Sequence, residues 1–101
     1  RYLLEKRDDS GLLANMWQFP MIEMKKGEDP LAKFAEQYDV EVKLEHGTVQ
    51  QFKHVFSHLT WHIEAQLVEV QAKNKEIFFT REQIERLPMP VPMLKIWNEI
   101  K

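Results

Sequence analysis

Phe52-Lys53-His54-Val55-Phe56-Ser57-His58-Leu59-Thr60-Trp61-His62-Ile63-Glu64-Ala65-Gln66-Leu67 is the stretch on which the fold turns. From Leu59 onward, Leu59, Trp61, Ile63, Ala65 and Leu67 alternate with Thr60, His62, Glu64 and Gln66. That period of two marks a half-buried antiparallel strand with its apolar side on a core. The alternation predicts a strand over residues 59–67 and a bend at Phe56-Ser57-His58 feeding it.

On the N-terminal side, Val40, Val42 and Leu44 alternate with Glu41, Lys43 and Glu45, again with strand period, and His46-Gly47 reads as a turn. Residues 48–56 are then expected to return as the hairpin partner of residues 40–45. Ahead of them, Asp29 is an N-cap followed by Pro30 at the first helical position, and Leu31, Phe34, Ala35 and Tyr38 recur at helical spacing. At the start, residues 2–7 read as one short strand, and Asp8-Asp9-Ser10-Gly11 as a chain reversal. Residues 12–19, carrying Trp17 and Phe19 and closed by Pro20, are expected to be extended and buried, because proline disfavours a helical residue before it.

On the C-terminal side, Asn74 is expected to turn the chain into a short strand over residues 76–79. Thr80 with Gln83 three residues later forms a capping box for a brief helix containing Ile84 and Leu87. Pro88, Pro90 and Pro92 are expected to forbid regular structure. Met93, Ile96, Trp97 and Ile100 then share one helical face that docks on the sheet. The order of elements predicts an α+β domain with a mixed sheet and a few short helices.

The 101 residues fit one domain, residues 1–101, with a single hydrophobic core. The chain begins with Arg1 and Tyr2-Leu3-Leu4 already reads as strand, so a fragment of a longer protein is expected. The composition, 44% hydrophobic and 30% charged, is that of an ordinary globular protein rather than a disordered one. No apolar run approaches the roughly 20 residues of a membrane span, and residues 1–9 lack the apolar core of a signal peptide, which makes the cytoplasm the expected compartment. With no cysteine, neither a disulfide nor an iron–sulfur cluster can be held here.

A formal net charge of −2 argues against a protein that grips nucleic acid by bulk electrostatics. Local cations at Lys6-Arg7, Lys25-Lys26 and Lys53-His54 read either as patches that could touch phosphate or as ordinary solvated surface. His54, His58 and His62 would line up for zinc on a continuous helix, but strands around a bend separate them, and no metal site is expected. Trp17, Trp61 and Trp97 could be base-stacking platforms. Each lies on the expected buried face of its element, so core packing is the reading for all three.

Gly11-Leu12-Leu13-Ala14-Asn15-Met16-Trp17-Gln18-Phe19-Pro20 resembles the start of a Nudix domain. Residues 52–61 and Pro90-Val91-Pro92 ahead of Ile96-Trp97 are similar to the C-terminal domain of MutY-type adenine DNA glycosylases. Three ordered matches across most of the chain are far more specific than any one of them. The sequence also departs from active Nudix hydrolases. Those need a Gly-Gly pair after the proline and an Arg-Glu-x-x-Glu-Glu array whose carboxylates coordinate magnesium. Here Met21-Ile22 follows the proline, and Glu36 is the only acid in the helix.

The resemblance implies a domain without catalytic residues that detects 8-oxoguanine paired with adenine in double-stranded DNA. Phe56, Ser57 and His58 would be its lesion-binding residues. A separate N-terminal catalytic domain of the same chain would carry a 4Fe-4S cluster and remove the adenine, the whole acting as a monomer. Ser57 can accept a hydrogen bond from the N7–H that only the oxidised purine carries. Phe56 would be an apolar anchor and His58 a polar contact. Without the resemblance, Phe56 reads as a core aromatic, Ser57 as an ordinary turn hydroxyl and His58 as a surface histidine. The rival readings are a divergent Nudix hydrolase of oxidised nucleotides, which would release phosphate or pyrophosphate with a divalent metal, and a protein-interaction domain that kept the fold.

Overall fold

The computed structural model describes residues 1–72 and 78–101. Among the described residues, six strands and three helices follow one another: β1 (Tyr2–Leu3), β2 (Glu5–Lys6), β3 (Trp17–Gln18), α1 (Pro30–Tyr38), β4 (Val40–Val55), β5 (Thr60–Ala72), β6 (Phe78–Phe79), α2 (Arg81–Ile84) and α3 (Val91–Ile100). The strands pair antiparallel as β1 with β6, β2 with β3, and β4 with β5. This is the α+β architecture that the periodicity predicts. The expected turn at Asn74 and the first half of the strand expected over residues 76–79 lie outside the described residues.

The long β4–β5 ribbon replaces the hairpin expected around His46-Gly47. Residues 40–45 and 48–55 do not pair with each other. Both pair with β5, from Val40 opposite Ala72 to Val55 opposite Thr60. Gly47, with φ +88°, sits in one of three register irregularities, between Val42 and Leu44, Glu45 and Gly47, and Thr48 and Gln50. A left-handed glycine serves a β-bulge as readily as a turn, so the glycine marked a kink in one strand and not its end.

Two other expectations are corrected. The stretch over residues 12–19 is not one extended, buried run: Leu13 (φ 56°) and Asn15 (φ 63°) are left-handed, Leu12 is exposed, and only Trp17 and Gln18 join a ladder. The loop is clamped where the Arg7 N–H donates to the Met16 carbonyl and the Asn15 N–H to the Asp8 carbonyl, each at 2.9 Å. Residues 2–7 likewise split into β1 and β2, which pair with different partners. The three prolines do not exclude a helix, because α3 already runs from Val91 with Pro90 as its N-cap and Pro92 in its first turn. There a missing N–H is no loss, since first-turn donors have no partner inside the helix.

The helix starts follow the sequence signals. The Asp29 carboxylate accepts from the Leu31 and Ala32 N–H groups at the head of α1, and the left-handed Asp39 ends it. At α2, Gln83 N–H donates to Thr80 Oγ1 at 3.2 Å while Thr80 N–H donates to Gln83 Oε1 at 2.8 Å.

The core gathers Leu4, Ala65, Ile84, Met89, Met93, Ile96 and Trp97, with Trp17, Phe19, Phe52 and Ile63 packed around it. Burying a large apolar side chain of this kind contributes about 1.5–3 kcal/mol. The core therefore sits between α3 and the middle of the ribbon, and the far end of the ribbon projects beyond it.

Candidate functional site at the hairpin end

β4 and β5 approach their common end through the rungs Phe52–Ile63, Lys53–His62, His54–Trp61 and Val55–Thr60. Residues 56–59 join them, closed by the Phe56 N–H donating to the Leu59 carbonyl at 2.6 Å. Ser57 and His58 form the tip and both are exposed. The turn types that suit two-residue hairpin connections need positive φ, and neither Ser57 nor His58 has it. Side-chain contacts brace the connection.

Those contacts form a small aromatic stack on the core-facing side of the ribbon. Phe56 is half-buried, meeting Trp61 edge-on with ring centroids 4.9 Å apart and His54 at 4.7 Å. The Arg7 guanidinium lies 5.5 Å over the Trp61 ring. Aromatic pairs of this geometry are worth about 0.5–1.5 kcal/mol each beyond their burial, and an exposed cation–π contact about 0.5–1 kcal/mol. The sequence pattern predicts core packing for all three tryptophans. Trp97 is there and Trp17 packs against it, but Trp61 is outside the core cluster and braces Phe56 instead.

The structure brings Phe56, Ser57 and His58 to one exposed point, with Val55 and Leu59, also exposed, beside them. His54 and His62 point to opposite sides of the ribbon, since they stand on successive rungs of facing strands. Among the described residues no three His, Asp or Glu side chains are placed to hold a metal ion. Arg7 is the participant that the sequence did not single out as part of the site. It read only as half of a basic pair, and its place over Trp61 depends on closure of the loop between β2 and β3.

The ribbon is also divided by charge. Residues 48–63 contain Lys53 and three histidines but no acid, whereas Glu41, Glu45, Glu64 and Glu69 lie toward the other end. Among the described residues, Lys33, Lys43, Lys101 and His46 are paired with carboxylates, and Arg7, Lys53 and Lys95 are not. The Glu64 carboxylate accepts from Gln66 at 2.7 Å, Gln51 at 2.9 Å and Thr48 at 3.3 Å, which holds its pKa below the ordinary value. An open, mostly apolar cleft of about 610 Å³ runs between α1 and the ribbon, and none of residues 50–61 lines it.

The structure is an α+β domain with an exposed, aromatic-braced hairpin end and a helix α1 that carries one carboxylate. The comparison with known families makes this specific: a family model described as NUDIX domain matches residues 1–99. The chain belongs to the NUDIX domain family. Many members of that family are metal-dependent hydrolases, and the donor set in α1 does not fit their magnesium, because Glu36 is its sole acid. No helix among the described residues is long and apolar enough to cross a membrane.

Proposed function

We propose that this chain is the lesion-recognition domain of a MutY-type adenine DNA glycosylase, reading 8-oxoguanine opposite adenine in duplex DNA. The observation that carries the reading is the exposed Ser57 at the hairpin end, flanked by Phe56 and His58, on a Nudix scaffold whose helix lacks the hydrolase carboxylates. Oxidation of guanine replaces the bare N7 acceptor by an N–H donor and adds an oxygen at C8. The Ser57 hydroxyl can accept from that N–H, and Phe56 can press an apolar ring against the neighbouring base step. The acid-free end of the ribbon, with Lys53 and the histidines, is the part of this acidic chain suited to approach phosphates.

In this proposal the adenine is removed by a separate N-terminal catalytic domain holding a 4Fe-4S cluster, and the monomeric enzyme grips DNA through both parts. The domain on its own then binds duplex DNA weakly. The test is excision of adenine by the whole enzyme, opposite 8-oxoguanine and opposite guanine, with Phe56→Ala, Ser57→Ala and His58→Ala. Loss of discrimination with smaller loss of turnover is expected. Unchanged lesion preference refutes the assignment. Magnesium-dependent hydrolysis of nucleoside triphosphates by the purified chain establishes the hydrolase reading in its place.

A further inference from the structure

We infer that Arg7 is the positioning residue of the hairpin tip, fixing the direction in which Ser57 is presented by clamping Trp61 to the β2–β3 hairpin. Its consequence for lesion reading rests on the function proposed above. The coupling itself can be measured without DNA.

Three contacts hold the guanidinium. Nε donates to the Leu12 carbonyl at 3.0 Å, a terminal nitrogen donates to Gln18 Oε1 at 2.7 Å, and the plane lies 5.5 Å over the Trp61 ring. Gln18 is not free to swing: it is buried, and its amide nitrogen donates to Glu5 Oε1 at 2.7 Å, leaving its oxygen for Arg7. The guanidinium therefore takes its orientation from β2, β3 and the loop between them. It passes that orientation to Trp61, whose ring meets the edge of Phe56, the residue next to Ser57. Among the described residues, Arg7 is the only cation over a ring of the His54, Phe56 and Trp61 stack. The task needs a planar fork, because two donors and a face act at once, and an ammonium offers neither the plane nor the paired geometry.

The experiment is a double-mutant cycle read by NMR on the full chain, using Arg7→Gln, Trp61→Leu and the double variant. Arg7→Gln is expected to shift and mobilise the Ser57 and His58 amides. The double variant should match Trp61→Leu alone, because without the indole there is nothing for Arg7 to hold. Arg7→Lys should fail to restore the wild-type tip signals, and should Arg7→Gln not fold, it replaces that variant in the cycle. Unmoved tip amides in a folded variant, or shifts that simply add in the double variant, overturn the inference.

In the glycosylase, Arg7→Gln is expected to lower the preference for 8-oxoguanine over guanine by about tenfold. If Ser57→Ala leaves that preference unchanged, the functional reading fails and the NMR cycle alone decides the coupling. If Ser57→Ala lowers it and Arg7→Gln does not, the coupling is overturned.

Discussion

The indole N–H of Trp97 donates to Glu85 Oε1 at 3.0 Å, tying α3 to the residue that caps α2, and Lys101 Nζ lies 3.6 Å from the same oxygen. The rest of the ring is buried against Tyr2 and Phe19. Trp97→Ala is expected to destabilise the domain by about 3–5 kcal/mol in urea denaturation. Trp97→Phe should lose less, since Glu85 keeps Lys101 and solvent. An alanine variant as stable as the wild type would show that the core does not depend on this ring.

Ser57→Ala removes a hydroxyl that is exposed on the tip, so its stability should stay within about 0.5 kcal/mol of the wild type. On the proposed function, the whole enzyme's discrimination between 8-oxoguanine and guanine should fall by about 1–3 kcal/mol, measured as the ratio of excision efficiencies. Stability and specificity are thereby separated at one side chain.

Lys53 stands opposite His62 on the outer side of the ribbon, with no carboxylate partner among the described residues. On the proposed function, Lys53→Gln is expected to weaken DNA binding equally for damaged and undamaged duplexes and to reduce the salt slope by about 1. A selective loss for the damaged duplex would instead make Lys53 a base contact.

The Tyr38 hydroxyl is buried and makes no hydrogen bond of full geometry, though the Glu5 carboxylate lies close; burial first, and Glu5 second, raise its pKa well above the ordinary 10.0. Folding thus favours the neutral phenol. The stability contributed by this group is present below the ordinary pKa and is lost as pH rises toward the folded value. Tyr38→Phe is expected to leave stability at neutral pH unchanged or raised by about 1 kcal/mol, and to flatten the alkaline loss in thermal melting. A marked loss at neutral pH would reveal a hydrogen bond on that oxygen.

Glu64 illustrates the opposite sign. Hydrogen bonds from Gln66, then Gln51, hold its carboxyl below the ordinary 4.5, with Thr48 adding to them. Its contribution is present above that ordinary value and is lost as pH falls through the lower folded one. Glu64→Gln should make the acid limb of the stability profile shallower in urea titrations at stepped pH. An unaltered limb would mean that these exposed bonds are exchanged for water at no net loss.

The features legible in the sequence were those carried by neighbouring residues. The alternation from Trp61 to Leu67 specifies a strand because one buried face repeats every second residue, although Leu59, expected on the same face, is exposed in the connection before β5; the caps at Asp29 and Thr80 specify helix starts because each is completed within three positions. The break in alternation at Ser57-His58 located the end of the ribbon. Gly47 misled because a bulge and a turn both use a left-handed glycine, and only the length of β5, which reaches past it to pair with residues 40–45, distinguishes them. Leu13 and Asn15 gave no local warning of left-handed backbone in a stretch that looked apolar and extended. Arg7 was invisible as a support because its partners, Leu12, Gln18 and Trp61, meet it only after two separate hairpins have closed.

The bulges in β4 have one more consequence. Among the described residues neither outer edge of the β4–β5 pair is covered by another strand, which would ordinarily offer a template for amyloid-like growth. Three irregularities between Val42 and Gln50 throw successive amides of that edge out of line, leaving only the short regular run to Val55, guarded by the charge of Lys53. Along β4 an incoming chain finds no long straight rail to copy.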